Sequence, residues 1–378
     1  MTASTSAGTH TFLDRIARAR EVMADRGVDV LLLSVGSDLP YLCGYEAMPL
    51  ERLTMLVVPR DGDATLVIPR LEAPRVTEQP GVFGLRPWNE TDDPVAIVAE
   101  LVGRPGVAAV GDTMWARFLV ELLGHWPSGT GATGTRYVRS TEVMNALRTR
   151  KDAAEIAALQ AAGAAADRVA AQLHAGEIPL VGRTEAQVSA DISARLHAEG
   201  HDVVNFAIVA AGENAASPHH HPGARVIREG EIVLTDFGGT MAGYCSDITR
   251  CVFLGDPPAE VAEAYAVLHE AQAAGVRAGV VGNTCQDVDR AARRVIADAG
   301  YGEYFIHRTG HGIGMEAHED PYMVEGNDQP IEAGHAFSVE PGIYVAGRWG
   351  MRLEDIVVAT PDGPLSMNHA NHDLVCFR

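Results

Sequence analysis

Cysteine is scarce in this chain and follows no pattern. Five are spread over 378 residues, as Cys43, Cys245, Cys251, Cys285 and Cys376, with no CxxC pair. The odd number and irregular spacing argue against a disulfide framework and a cysteine-rich structural zinc site, and point to a reducing compartment. Long apolar runs are also missing, and none reaches the roughly 18–20 residues that span a bilayer as a helix. The opening MTASTSAGTHTFLDRIARAR lacks the basic-then-apolar order of a secretory signal, so the expected location is cytoplasmic. Neither GxGxxG nor GxxxxGKS/T occurs, which argues against a phosphate-cradling loop. Positive charge is short as well. Lys+Arg number 30 against 50 Asp+Glu, a formal charge of -20. The densest basic group, Arg148, Arg150 and Lys151, is accounted for by the start of an amphipathic helix. Such a chain repels nucleic acid and anionic membrane surfaces, and neither is an expected partner.

What is present is a large apolar inventory, 47% of residues, and two differently patterned parts. Phe12, Ile16, Ala19 and Met23 recur at helical spacing and end at Gly27. Val28–Leu33 reads as a buried strand. Thr54–Pro59 and Ala64–Pro69 flank Asp61-Gly62 as a hairpin, and Val107–Val110 is another short strand. Residues 1–145 therefore read as an α/β domain. An alanine-rich helix over 152–175 opens the second part, 146–378. Thr184 with Gln187 forms a capping box ahead of Val188, Ile192 and Leu196. Strands are expected at Val203–Val209, Ile232–Phe237, Ala336–Val339, Gly342–Val345 and Asp355–Val358. Helices are expected from Pro257-Pro258 toward 274 and over Gln286–Ala299.

The second part holds the chemistry. Asp236 lies in IVLTDFGG and Asp247 in GYCSDITRCVFL, whose alternation reads as one strand. They are eleven residues apart with three glycines between, so a hairpin can set them side by side. Two half-buried carboxylates repel and lose hydration, and a divalent cation offsets both. His311 sits between Gly310 and Gly312 in HRTGHGIGMEAHEDP, and glycine there permits close backbone approach. Glu340 follows the strand AFSV, and Glu354 lies in GMRLEDIVV. Four carboxylates and one imidazole suit oxygen-preferring ions such as Mn²⁺, Fe²⁺ or Co²⁺, with Zn²⁺ as a further candidate. Four anionic ligands exceed what one dication needs, so two ions are expected. In ENAASPHHHP, one of His219, His220 and His221 can reach a substrate.

Five segments in order, ENAASPH, DFGG with YCSDITR, HRTGHGIGMEAHEDP, SVEPGIY and GMRLEDIVV, carry a family resemblance. The chain resembles the creatinase/prolidase/methionine aminopeptidase ("pita-bread") metallopeptidases, and within them the Xaa-Pro dipeptidase and Xaa-Pro aminopeptidase branch. The resemblance implies a creatinase-like N-terminal α/β domain, then an α+β pita-bread catalytic domain with a curved antiparallel sheet. It implies a metal set of Asp236, Asp247, His311, Glu340 and Glu354, with Asp247 and Glu354 bridging two ions, Mn²⁺ first among the candidates. It further implies a metal-bridging hydroxide as nucleophile, with Glu340 taking the proton of the attacking water. His219 and His318 then face the substrate, His220 and His221 are bystanders, and Arg352 steadies the carboxylates or meets the substrate. The expected substrate is a small proline-containing peptide and the expected assembly a homodimer. Ala215 stands where many relatives have serine, which touches no ligand. The competing readings are a hydrolase of other substrates on the same scaffold, such as organophosphorus esters, and a metal-free binding protein.

Overall fold

The short apolar runs VLLL, MLVVP and TLVIP fold as strands in the computed structural model, which describes residues 4–130 and 134–377. The chain divides into two compact units, Met1–Arg148 and Thr149–Arg378. The first runs α1 (Ser4–Arg26), β1 (Val30–Leu33), α2 (Asp38–Cys43), β2 (Met55–Pro59), β3 (Thr65–Pro69), β4 (Gly84–Trp88), α3 (Pro94–Val102), β5 (Val107–Val110), α4 (Ala116–His125), β6 (Arg136–Arg139) and α5 (Thr141–Arg148). Its strands form one mixed sheet in the order β4-β3-β2-β1-β5-β6. β2 and β3 are the expected antiparallel hairpin, while β3–β4, β1–β5 and β5–β6 run parallel. Alternate residues Val30, Leu32, Met55, Val57 and Val67 share a core with Val98, Phe118, Leu122 and Trp126 of the helical layer.

The second unit runs α6 (Ala153–His174), α7 (Glu185–Ala198), β7 (Val203–Ala211), β8 (Ile232–Met241), β9 (Tyr244–Cys245), β10 (Ile248–Leu254), α8 (Ala259–Ala278), α9 (Cys285–Asp298), β11 (Gly310–Gly312), β12 (Glu319–Met323), β13 (Ala336–Val339), β14 (Gly342–Val345), β15 (Trp349–Arg352), β16 (Asp355–Thr360), β17 (Gly363–Ser366) and β18 (Val375–Phe377). Capping boxes fix three helix starts: Asp152 with Glu155, Thr184 with Gln187, and Thr284 with Asp287. Each such cap is worth about 1 kcal/mol. The strands form sheets ordered β18-β10-β8-β7 and β12-β11-β13-β16-β17, with β14-β15 as a separate ribbon. Every pair is antiparallel except β10–β18.

The sheet around β8 is covered on both faces. Val233 and Phe237 pack with Leu173, Val188 and Ile192 from α6 and α7. Ile232 and Leu234 point the other way, into a core with Leu268 of α8. β10 is buried along its whole length and β8 over Ile232–Gly239, which is why their apolar residues run on without a solvent-facing alternation.

Two expectations need correction. GYCSDITRCVFL is not one strand, because its ladder breaks at Ser246 and Asp247 between β9 and β10. The Ser246 hydroxyl is engaged by His201 Nε2 at 2.8 Å, and ladder pairing resumes at Ile248. Nor do Arg148, Arg150 and Lys151 start a helix, since Arg148 ends α5 and α6 begins only at Ala153. Arg148 pairs with Asp38 and Arg150 with Glu332, and Lys151 is buried with its Nζ 2.6 Å from Glu319 Oε1.

Candidate metal centre

Strand alternation carries an apolar face directly into a charged one. Asp236 follows Ile232 and Leu234 on the same face of β8, and opposite it in the ladder stands Thr249 of β10. A two-residue turn, Ala242-Gly243, closes the β8–β9 hairpin, both residues with positive φ (49° and 84°). The return strand brings Asp247 back to the face that holds Asp236. Gly238 makes this approach fit, since a Cβ there would lie 2.1 Å from the Ser246 carbonyl oxygen.

Glu354 joins from the other sheet. Its backbone bridges to Thr249, and its Oε2 accepts from Thr249 Oγ1 at 2.7 Å. His311 lies on β11, a short strand, with Gly310 and Gly312 on either side of it. A Cβ at Gly310 would lie 1.9 Å from the Ser338 carbonyl oxygen, so the sequence around His311 serves close backbone contact. Its Nδ1–H donates to the Gly312 carbonyl at 3.0 Å, which leaves Nε2 bare toward the acids. That Nε2 lies 3.3 Å from Glu340 Oε1 and 3.7 Å from Asp247 Oδ2. Donor atoms converge within 4.8 Å of one another in three overlapping groups: Asp236, Asp247 and Glu354; His311, Glu340 and Glu354; and Asp247, His311 and His318.

This arrangement is electrostatically unbalanced. Burial, then repulsion from Glu354, Asp236 and Glu340, raises Asp247 well above the usual carboxylate range. Burial and repulsion from Glu340 and Asp236 do the same to Glu354. Burial pushes Glu340 up to about 7. Oδ1 of Asp236 and Oδ1 of Asp247 are buried without a hydrogen-bond partner among the described residues. Burial also pushes His311 down to about 3, so its imidazole is neutral and its bare nitrogen can ligate. Orphaned carboxylate oxygens, crowded anions and a neutral imidazole together fit divalent cations.

A cavity of about 420 Å³ opens onto these groups. His219, Asp236, Asp247, His311, His318, Glu340, Arg352 and Glu354 all line it, so the five expected metal ligands meet the two expected substrate histidines and Arg352 at one place. The His311 and His318 rings stack with centroids 3.8 Å apart. His220 turns away to Glu185 Oε2 at 2.8 Å, anchoring the loop that presents His219. Buried Arg352 donates to Asp236 Oδ2, to Tyr344 Oη at 2.8 Å and to Thr249 Oγ1 at 3.2 Å. His307 completes this chain. Its Nδ1–H is taken by the Arg308 carbonyl, so its Nε2 accepts the Tyr344 hydroxyl at 2.8 Å.

Phe206, Ile208, Pro218, His307 and Arg308 also line the wall, and sequence reasoning did not assign them there. Period-two spacing on β7 offered a signal, since residues 206, 208 and 210 share a face. His307 and Arg308 stood in the quoted HRTGHG segment without a role.

Fold and site together define a metal-dependent peptidase. Residues 156–361 match metallopeptidase family M24 and residues 15–149 the creatinase/prolidase N-terminal domain, and the chain belongs to this family. It is thus a hydrolase of the metallopeptidase class, with a creatinase-type α/β domain ahead of a pita-bread catalytic domain. It is 46% identical to a probable dipeptidase PepE of Mycobacterium tuberculosis, over 96% of this chain and 95% of that one. An Xaa-Pro dipeptidase of Lactobacillus helveticus is 36% identical over 94% and 97%. The crystal structure of dipeptidase PepE from Mycobacterium ulcerans superposes with a TM-score of 0.90 at 47% identity, covering 97% of this chain and 98% of that one.

Proposed function

We propose that this protein is an Xaa-Pro dipeptidase, cleaving the bond between an N-terminal residue and a following proline with the help of two divalent ions, Mn²⁺ foremost. One observation carries the reading: five donor side chains converge in a cavity where buried carboxylate oxygens have no partner. In this reading Asp236, Asp247, His311, Glu340 and Glu354 hold the ions. When bound, such ions polarise the scissile carbonyl and make water nucleophilic at neutral pH. Glu340 presents Oε1 toward His311, braced by the Ser338 hydroxyl at 3.1 Å. Its Oε2 is left to accept the proton of the attacking water and hand it to the proline nitrogen as that bond breaks. Arg352 orients Asp236 from behind, while His219 and His318 face the substrate. The dipeptidase names of the relatives support the choice over an aminopeptidase for longer peptides. Assembly as a homodimer rests on the family resemblance, and a cytoplasmic location on cysteine usage.

The test is hydrolysis of Ala-Pro, Ala-Pro-Ala and Ala-Ala by chelator-stripped protein, with and without Mn²⁺. Metal-dependent cleavage confined to Ala-Pro is the expected outcome. Preference for Ala-Pro-Ala would make the protein an Xaa-Pro aminopeptidase. No cleavage with Mn²⁺, Co²⁺ or Zn²⁺ restored would sink the proline-peptidase reading.

A further inference from the structure

Segment 305–309 lies between α9 and β11 with no helix or strand of its own, yet two of its residues brace the metal centre. His307 gives its Nε2 to the Tyr344 hydroxyl, whose oxygen accepts from Arg352. The Thr309 carbonyl accepts from the Glu340 backbone N–H at 2.8 Å. Two side chains one turn apart on α9 hold this segment. Asp289 is fully buried, and its Oδ1 accepts from both the backbone N–H and the hydroxyl of Thr309, each at 2.9 Å. Arg293 pairs with it at two points, Nε on Oδ2 at 2.8 Å and Nη2 on Oδ1 at 2.9 Å. The same guanidinium donates from Nη1 to the Phe305 carbonyl at 2.9 Å and from Nη2 to the His307 carbonyl at 2.7 Å. It also sits over the Phe305 ring, 4.1 Å from the centroid, and that ring meets the His307 ring edge-on. A segment outside any helix or ladder must satisfy its carbonyls elsewhere, and a planar fork with several fixed donors does this at defined geometry.

We propose that Asp289 and Arg293 are positioning residues for the peptidase reaction, holding 305–309 so that His307 braces Tyr344 and Thr309 braces Glu340. This rests on the peptidase reading above and deepens it. Neither side chain lines the cavity, so their effect on turnover travels through the segment they hold. The experiment measures kcat and KM for Ala-Pro with the Mn²⁺-saturated wild type, Arg293→Ala and Arg293→Lys, with bound metal and thermal midpoint determined on each. Lysine keeps a charge beside Asp289 but has no rigid fork to engage the carboxylate and both carbonyls at once.

In both variants kcat per metal-loaded molecule is expected to fall about 10- to 100-fold, the cost of reacting groups held about 1 Å out of place. KM should move by less than about threefold, since the pair touches no substrate. Bound metal should be unchanged, since the pair touches no ligand side chain. A merely structural pair would lower the thermal midpoint and leave kcat per metal-loaded molecule as it was. Turnover within about threefold of wild type in Arg293→Lys, or metal lost in step with turnover, would overturn the assignment and leave the peptidase reading standing. A wild type that does not cleave Ala-Pro would remove both.

Discussion

Glu354 and Asp355 are adjacent in sequence and opposite in circumstance. Both are almost fully buried. Asp355 is matched by the chain itself, with Arg250 Nη2 at 2.7 Å, Gln272 Nε2 at 3.0 Å and the His372 ring on its two oxygens. Burial pushes its carboxyl up, but Arg250 and His372 outweigh that and hold it below the ordinary value. Glu354, one residue earlier, faces Glu340 and Asp236, and burial with repulsion drives it upward. A β-strand sends successive side chains to opposite faces, so a single step moves from a solved electrostatic problem to an open one. The lesson is that charge burial alone does not mark function. A buried acid with its own cation holds the fold together, whereas a buried acid among acids awaits a partner that the chain does not supply.

The largest effect is expected where the matched side is broken. Arg250 is fully buried and also donates to the carbonyls of Glu354, Ala370 and Asn371. Arg250→Met strands Asp355 as an uncompensated charge and should cost about 3–5 kcal/mol in chemical denaturation. A loss below about 1 kcal/mol would show that the pair is not what balances Asp355.

On the unmatched side the expected outcome divides between function and stability. Asp247→Asn replaces an anionic ligand with a weaker neutral one, and turnover should fall by more than about 100-fold together with bound metal. Thermal melting of the chelated proteins should show the variant slightly above the wild type, since one buried anion has gone. Metal content and turnover both unchanged would take Asp247 out of the centre.

The smallest effect, and the sharpest for the comparison, is in pH. Asp355, with a depressed carboxyl, contributes stability that is present above the unfolded value of about 3.9 and lost in stronger acid. The carboxylates of the centre act with opposite sign. With Glu340 raised to about 7, the metal-free native state binds more protons than the unfolded chain between its ordinary value of 4.5 and 7. The chelated protein should therefore lose thermal stability as pH rises through that window, and Mn²⁺ should remove the slope. A flat profile for the chelated protein would mean that its carboxylates are not crowded in solution.

Much of the architecture was open to inspection in the residues. The β2–β3 hairpin announced itself through two apolar runs around Asp61-Gly62, and α7 through Thr184 and Gln187 with a fourfold apolar repeat. The break at Ser246-Asp247 was not legible, because alternation ran unbroken through it and the Ser246 hydroxyl meets His201, 45 residues away. β4, β6 and β17 also went unread. Each is four or five residues long and held by sheet neighbours rather than by its own apolar pattern. The pairing of Lys151 with Glu319 also went unread, since the two lie 168 positions apart.

Sequence by itself determined the donor inventory, and the order of the segments that carry it determined the family. Local chemistry suffices for that: carboxylates set in apolar strands, and an imidazole among glycines. Only the tertiary structure decided that His220 turns to Glu185, that Arg352 is spent on Asp236, and that Arg308 stacks on the Tyr322 ring. Those distinctions depend on which side chains meet across strands far apart in sequence, and pairing at such range is fixed by packing rather than by any residue's own preference.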